Sequence, residues 1–380
     1  MRILIVSHEY PPVGGGGANA CMFLSKEYAD KGHQVDVVTV WYEGQPEIDK
    51  LYNDRVAIYR LKSKRKHKEH CGFAEMLDYL RYARKECDQL AQANKYDVCQ
   101  VFFGIPSGPL GYYLKKKYGI PYVIRFGGGD IPGFQNRFAV LYKLLGPPLK
   151  IIWKNASGLV ANSEGLKKFA LDFCNKYPID VIYNGVDTNQ FYPAENKNYG
   201  ETVQLLFVSR LIERKGLQDI IPYLTKIQNE TGKKVHLTIV GDGPYRERLE
   251  QLAVDAGTDG LIAFVGQKEK GELRGYYQQG DIFVFPSRKE GMPNAVLEAM
   301  ACGLPVIMMK NCEGAEELID GNGVLADEEI TGAVREFLML DKASWQAKAA
   351  KSRSRAMNVF SWTIAGEKYL SLFDQIVQRV

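Results

Sequence analysis

The feature that most constrains this chain is an alternation. Short apolar runs rich in Val, Ile and Phe are separated by longer amphipathic stretches, and the scheme runs through once and then begins again. The first half reads as strands over 3–6, 35–40, 56–59, 98–103, 122–126, 159–161 and 181–183, with helices over 20–31 and 75–93. The second half reads as strands over 205–208, 237–240, 262–265, 282–285 and 306–309. Strands that alternate with helices build a parallel sheet covered on both faces, because parallel neighbours need a crossover long enough to hold a helix. At 380 residues the chain exceeds what one core usually supports. The expectation is therefore α/β, with two Rossmann-like doubly wound domains and a polar joint over 187–200 around Pro193. A last helix has apolar positions at Ile364, Tyr369, Leu370, Phe373 and Ile376. The ranges are 1–187, 188–358 and 359–380.

Ligands of such sheets bind at the carboxyl ends of the strands, so chemistry is sought in the loops that follow them. After the strand at 282–285 come Glu290, Gly291, Met292, Pro293, Asn294, Ala295 and Glu298. Pro293 suits a first helical position, where a missing N–H costs nothing. Two carboxylates then flank a helix N-terminus, whose free N–H groups favour an anion. That pattern suits a ligand with hydroxyls at both ends and phosphate between, such as a nucleotide-sugar. For a lone Glu pair the bland alternative, two solvated side chains, is stronger. After the strand at 205–208, Arg210 and Lys215 can converge on one anion if the chain turns back at Gly216. After the first strand, Gly14, Gly15, Gly16 and Gly17 leave room for backbone to approach a phosphate. Gly15-x-Gly17-x-x-Ala20 fits a dinucleotide fingerprint poorly, since the seven residues from His8 to Gly14 stand before it where a tight turn is needed. Gly241-Asp242-Gly243-Pro244 and Asn184-Gly185-Val186-Asp187 are explained as turns.

Together these motifs resemble glycosyltransferase family 4 (glycosyl transferases group 1), the retaining family that includes sucrose synthase and glycogen synthase. The resemblance covers the whole chain and is strongest over 181–325. It implies the GT-B fold, two Rossmann-like domains facing across a cleft, with the terminal helix crossing back to the first. It implies an N-terminal acceptor-binding domain and a C-terminal nucleotide-sugar-binding domain. Carried over, Glu298 holds the ribose hydroxyls and Glu290 the donor sugar. Arg210 and Lys215 take the diphosphate, with Gly291, Met292, Pro293, Asn294 and Ala295 around it. Gly15 and Gly16 touch the donor from the first domain, and Gly266 and Gln267 lie by the nucleobase. Glu290, Arg210 and Lys215 are the expected catalytic set. No metal and no cofactor are implied beyond the nucleotide-sugar co-substrate, with a UDP-sugar favoured over a GDP-sugar. The family often carries a His where this chain has Gly127, so Arg125, Gly127 and Asp130 are the acceptor-side candidates.

Net charge is +4, too small to indicate nucleic acid, and the positive excess lies in the first half. Seven cysteines without a CxxC pair fit reduced thiols in the cytoplasm. No apolar run reaches transmembrane length. Arg60, Lys62, Lys64, Arg65, Lys66 and Lys68, with His67 and His70 close by, read either as a solvated loop or as a contact for anionic lipid. The apolar-basic stretch 134–153 reads as core packing or as an interface. The expected activity is hexosyl transfer to a saccharide or lipid-linked acceptor in cell-surface polysaccharide or lipopolysaccharide assembly, with attachment to the inner face of the membrane as an option. The alternatives are a small soluble acceptor, an NAD(P)-dependent oxidoreductase and a non-catalytic sugar-nucleotide-binding module.

Overall fold

The computed structural model describes residues 1–68, 71–132, 139–195, 197, 200–288, 290, 292–312 and 314–379, with only the backbone of 139–144. Two compact units emerge, Met1–Asn184 with Trp362–Val380, and Gly185–Ser361. The polar stretch 187–200 thus belongs to the second unit.

The first unit contains β1 (Arg2–Val6), α1 (Gly16–Asp30), β2 (Gln34–Val40), β3 (Ile48–Leu51), β4 (Val56–Leu61), α2 (Phe73–Ala93) and β5 (Val98–Phe102). It continues with α3 (Gly108–Tyr118), β6 (Tyr122–Arg125), α4 (Ala139–Asn155), β7 (Gly158–Ala161), α5 (Glu164–Phe173) and β8 (Asp180–Val181). The second unit contains β9 (Thr202–Val208), α6 (Leu224–Thr231), β10 (Lys234–Val240), α7 (Arg246–Asp255), β11 (Ile262–Gly266) and α8 (Lys270–Gln279). Then come β12 (Ile282–Phe285), α9 (Asn294–Ala301), β13 (Val306–Met309), α10 (Ala315–Leu318), β14 (Gly323–Ala326), α11 (Ile330–Leu338) and α12 (Lys342–Asn358). The last helix, α13 (Trp362–Val377), returns to the first unit.

The first sheet has the order β3-β4-β2-β1-β5-β6-β7-β8, and the second β11-β10-β9-β12-β13-β14. All described pairings are parallel except β3 with β4. The order reverses between β1 and β5 in one sheet and between β9 and β12 in the other. A crevice at the carboxyl ends of the strands is expected at each reversal.

Both faces of the first sheet are covered, which is why its strands read as unbroken apolar runs. Tyr122 and Ile124 of β6 face a core shared with α2, α3, α4 and α5. Val123 faces the opposite core, made by α1 and α13. There Trp362 stacks on Phe23 at 5.3 Å and Phe373 meets Tyr28 at 5.7 Å. The terminal helix is thus part of the first hydrophobic core.

Three local expectations change. The edge strand β3 and the short strand β14 were not read from the sequence. Helix α1 begins at Gly16, so the glycine run is partly helical. Pro293 caps α9 from just outside, one residue before the expected helical position.

Candidate functional site

In the second unit the loop after β9 is held by backbone. Leu211 donates to the carbonyl of Asp242 at 2.9 Å, and Tyr245 donates to that of Leu211 at 3.1 Å. The turn at Gly241–Pro244 therefore anchors the arginine loop. A tight turn over Glu213–Lys215 ends at Gly216, whose φ is +80°. A Cβ there would stand 2.4 Å from the carbonyl oxygen of Pro286, so only glycine brings this loop against the one after β12.

That approach assembles an ionic cluster at the sheet's reversal point. The Lys215 ammonium lies 2.7 Å from Oε1 of Glu290. The Arg214 guanidinium and the Ser287 hydroxyl donate to the same oxygen at 3.0 and 2.9 Å. Lys215 is almost fully buried, over the ring of Phe285. Burial pulls its pKa below the ordinary lysine range, and the Glu290 carboxylate offsets part of that. Glu290 and Lys215, expected at separate parts of a ligand, are here each other's partner. Arg210 is exposed, and its guanidinium has no hydrogen bond or ion pair among the described residues. Two cations on one carboxylate, with a third nearby in the same loop, leave the positive surplus that a diphosphate requires.

Helix α9 starts beside this cluster. Met292 and Pro293 are buried, Asn294 and Ala295 partly exposed, and Gly291 lies outside the described residues. Glu298 sits in the second turn of α9, where its Oε2 accepts the Tyr277 hydroxyl at 2.9 Å. Burial pushes its pKa up to about 6, against the opposing pull of Tyr277 and Lys270. Gly266 ends β11 with φ +75°, and Gln267 is exposed beyond it.

In the first unit Gly15 caps α1 and Gly16 opens it. The Glu9 carboxylate packs on this turn, where the Gly15 N–H stabilises it, and Arg65 approaches Glu9 at 3.7 Å.

The acceptor-side candidates need correction. Arg125 is 1% exposed and lies on the Val123 face of β6, inside the core under α13. Its Nη2 donates to Asn184, its guanidinium stacks over Phe102, and Nη1 has no partner among the described residues. The period of two in a strand turned it inward, toward the core under α13. Asp130 is also buried, and its oxygens take the N–H groups of Gly104 at 2.6 Å and Gly127 at 2.8 Å. Burial raises its pKa, and its backbone hydrogen bonds oppose the rise. Its carboxylate therefore fixes the loops that carry Gly104 and Gly127. Gly127 does not leave open space either. A Cβ there would stand 2.3 Å from the ring of Phe103, and one at Gly17 would meet the same ring at 2.3 Å. Phe103 has φ +70°, a strained value for an aromatic residue, and its ring lies edge-on to buried His8 at 4.8 Å.

The basic run is largely engaged within the chain. Arg60 reaches Asp49 at 3.4 Å, Lys62 pairs with Glu47, and Lys68 lies over the ring of Tyr42. Arg65 is buried and donates to the carbonyls of His67 and Lys68 at 2.8 and 3.1 Å. His70 lies outside the described residues. In the stretch 134–153, Leu149, Ile152 and Trp153 are core residues and Ile151 is exposed. Residues 134–138 and the side chains of 139–144 lie outside the description. Among the described residues no helix is long and apolar enough to cross a membrane.

Sequence reasoning passed over Arg214, Tyr277 and Phe103. Arg214 had a signal, a second cation beside Lys215. Tyr277 looked like any core aromatic of an amphipathic helix, and nothing local announces the backbone of Phe103.

Comparison with known proteins agrees with this architecture. Residues 188–352 match the model for glycosyl transferases group 1, and residues 14–190 match that for glycosyltransferase family 4. The GDP-mannose-dependent alpha-(1-6)-phosphatidylinositol monomannoside mannosyltransferase of Mycobacterium tuberculosis is 26% identical, over 97% of this chain and 96% of its own. Sucrose-phosphate synthase from Thermosynechococcus elongatus superposes with a TM-score of 0.79 at 20% identity, covering both chains fully. HepE of Anabaena, solved with UDP, gives 0.74 at 18% identity over 99% of this chain and 100% of its own. The chain belongs to the family 4 glycosyltransferases, enzymes of the GT-B fold.

Proposed function

We propose that this enzyme moves a hexosyl group, with retention of configuration and without a metal ion, from a nucleoside diphosphate sugar to a saccharide or lipid-linked acceptor of cell-surface polysaccharide or lipopolysaccharide assembly. The observation that carries the proposal is the cluster of Lys215, Arg214 and Glu290 at the reversal point of the second sheet, with Arg210 exposed in the same loop. As the bond from the anomeric carbon to phosphate breaks, negative charge grows on the departing diphosphate. Preplaced cations stabilise that charge more than they stabilise the intact donor. Lys215 exchanges Glu290 for a phosphate oxygen, and the released carboxylate accepts hydroxyls of the donor sugar. The acceptor hydroxyl attacks from the face the diphosphate leaves, and its proton passes to the departing oxygen.

UDP is the first candidate for the nucleotide and GDP the second. The names of the similar proteins carry both, UDP in the HepE complex and GDP-mannose in the mycobacterial enzyme. The mycobacterial name also specifies a lipid-borne acceptor, which supports action at the cytoplasmic face of a membrane. The test is thermal stabilisation by a panel of UDP- and GDP-sugars with NAD(P) as control, followed by proton NMR of the anomeric centre in the product, with and without a chelator. Stabilisation by a sugar nucleotide, an axial-to-axial outcome for an α-linked donor and indifference to chelation are expected. An inverted product or a chelator-sensitive rate refutes the corresponding part.

A further inference from the structure

We infer that Tyr277 is a positioning residue for nucleotide recognition: its hydroxyl fixes the plane of the Glu298 carboxylate, so that Oε1 is presented to the ribose diol of a nucleoside diphosphate. The inference rests on reading Glu298 as the ribose ligand. Tyr277 is fully buried on α8. Its ring is wedged edge-on against Phe191 at 5.7 Å and tilted against Phe283 at 5.9 Å, which leaves the phenol one direction in which to point. In that direction, 2.9 Å away, lies Oε2 of Glu298. Among the described residues this is the only hydrogen bond to the Glu298 side chain, and Oε1 receives none.

The terminal torsion of a glutamate is broad and nearly two-fold, so rotamer preference alone does not set the plane of its carboxylate. A bond from a rigid phenol does. A carboxylate fixed at one oxygen keeps acceptor sites for two hydroxyls in a defined plane, which is the geometry a vicinal diol requires. The same bond works against burial, which otherwise favours the protonated acid. Among the described residues the other charged or titratable groups facing Glu298 are Lys270 on α8 and Cys302, which caps the end of α9, with Arg353, Lys197 and Arg274 beyond Cys302.

The test uses the full chain and its Tyr277→Phe and Glu298→Gln variants, titrated calorimetrically with UDP, GDP and their 2′-deoxy counterparts from acid to neutral pH. The wild type should prefer the ribonucleotide and lose affinity as pH falls through about 6, where Glu298 takes up its proton. Tyr277→Phe should weaken the ribonucleotide about tenfold to a hundredfold, the loss expected for one hydrogen bond to a charged group. It should narrow the preference over the 2′-deoxy form, which keeps only one of the two hydroxyls and so should weaken less, and it should move the pH midpoint upward. The ratio is measured within one protein, so a loss of folded material does not mimic it. An unchanged ratio and midpoint in Tyr277→Phe overturn the inference alone. An unchanged ribonucleotide affinity in Glu298→Gln overturns the ribose role of Glu298 and the inference with it. Failure of the wild type to bind any of the four overturns the proposed donor class.

Discussion

Asp130 and Glu290 both follow strands near the reversal point of a parallel sheet, yet their carboxylates are held in opposite ways. Asp130 is bound by backbone, through N–H groups of Gly104 and Gly127 that cannot leave without moving a loop. Glu290 is bound by side chains, and among the described residues Lys215, Arg214 and Ser287 all converge on its Oε1. Backbone donors make a carboxylate part of the scaffold. Long cationic side chains can change partner at little conformational cost, and a phosphate offers them the same charge-assisted bond. In the sequence Glu290 was a candidate for the donor and catalysis and Asp130 for the acceptor side, and it is the identity of their donors that separates scaffold from ionic cluster.

The sharpest way to break this contrast is Lys215→Ala. Removing one preplaced cation from a developing oxyanion costs a hundredfold to a thousandfold in turnover, on the order of 3 to 4 kcal/mol. Transfer should fall by that factor while urea unfolding shifts by only about 1 to 3 kcal/mol, because Arg214 and Ser287 still satisfy Glu290 once the buried ammonium is gone. A normal rate in Lys215→Ala would remove the cluster from the chemistry. The counterpart is Asp130→Ala, where the large effect belongs to stability. Several backbone N–H groups lose a charged acceptor in a buried site, so unfolding free energy should drop by about 3 kcal/mol. A variant as stable as the parent would show that Asp130 is not scaffold.

Much of this was legible beforehand, because the parallel sheets advertise themselves as apolar runs and the motifs fall where the strands end. What escaped has physical reasons. Strand β3 carries Asp49 and Lys50 in four residues and pairs only with β4 at the sheet edge, so it lacks the buried pattern of its neighbours. Arg125 could be placed at the end of β6 but not on a face, since Tyr122, Val123 and Ile124 are all buried and no alternation marks inside from outside. The role of Gly127 is non-local. It is set by Phe103, across the loops, whose ring fills the space beside it. Gly127→Ala should therefore cost about 1 to 3 kcal/mol by overpacking. Adding Phe103→Ala should recover part of that loss, with a coupling of about 1 kcal/mol or more in a double-mutant cycle. Strict additivity would mean that ring and glycine do not compete for the same space.

The smallest expected effect sharpens the contrast within one loop. Lys64 and Lys66 are exposed, and among the described residues they bond the rest of the chain only through their backbone N–H groups, to Asp78 and Glu75. Their side chains belong to neither scaffold nor site, so Lys64→Ala with Lys66→Ala should leave unfolding free energy within about 0.5 kcal/mol. Arg65, one residue from each, is buried against Glu9 and closes the turn that carries Gly14, whose N–H donates to the carbonyl of Lys68 at 2.8 Å. Arg65→Ala should cost about 1 to 3 kcal/mol, because Glu9 is left buried without its cation. Equal effects from the two would show that the run acts as one solvated charge cluster. Unequal effects divide it, by burial alone, into a structural arginine and a pair of solvated lysines.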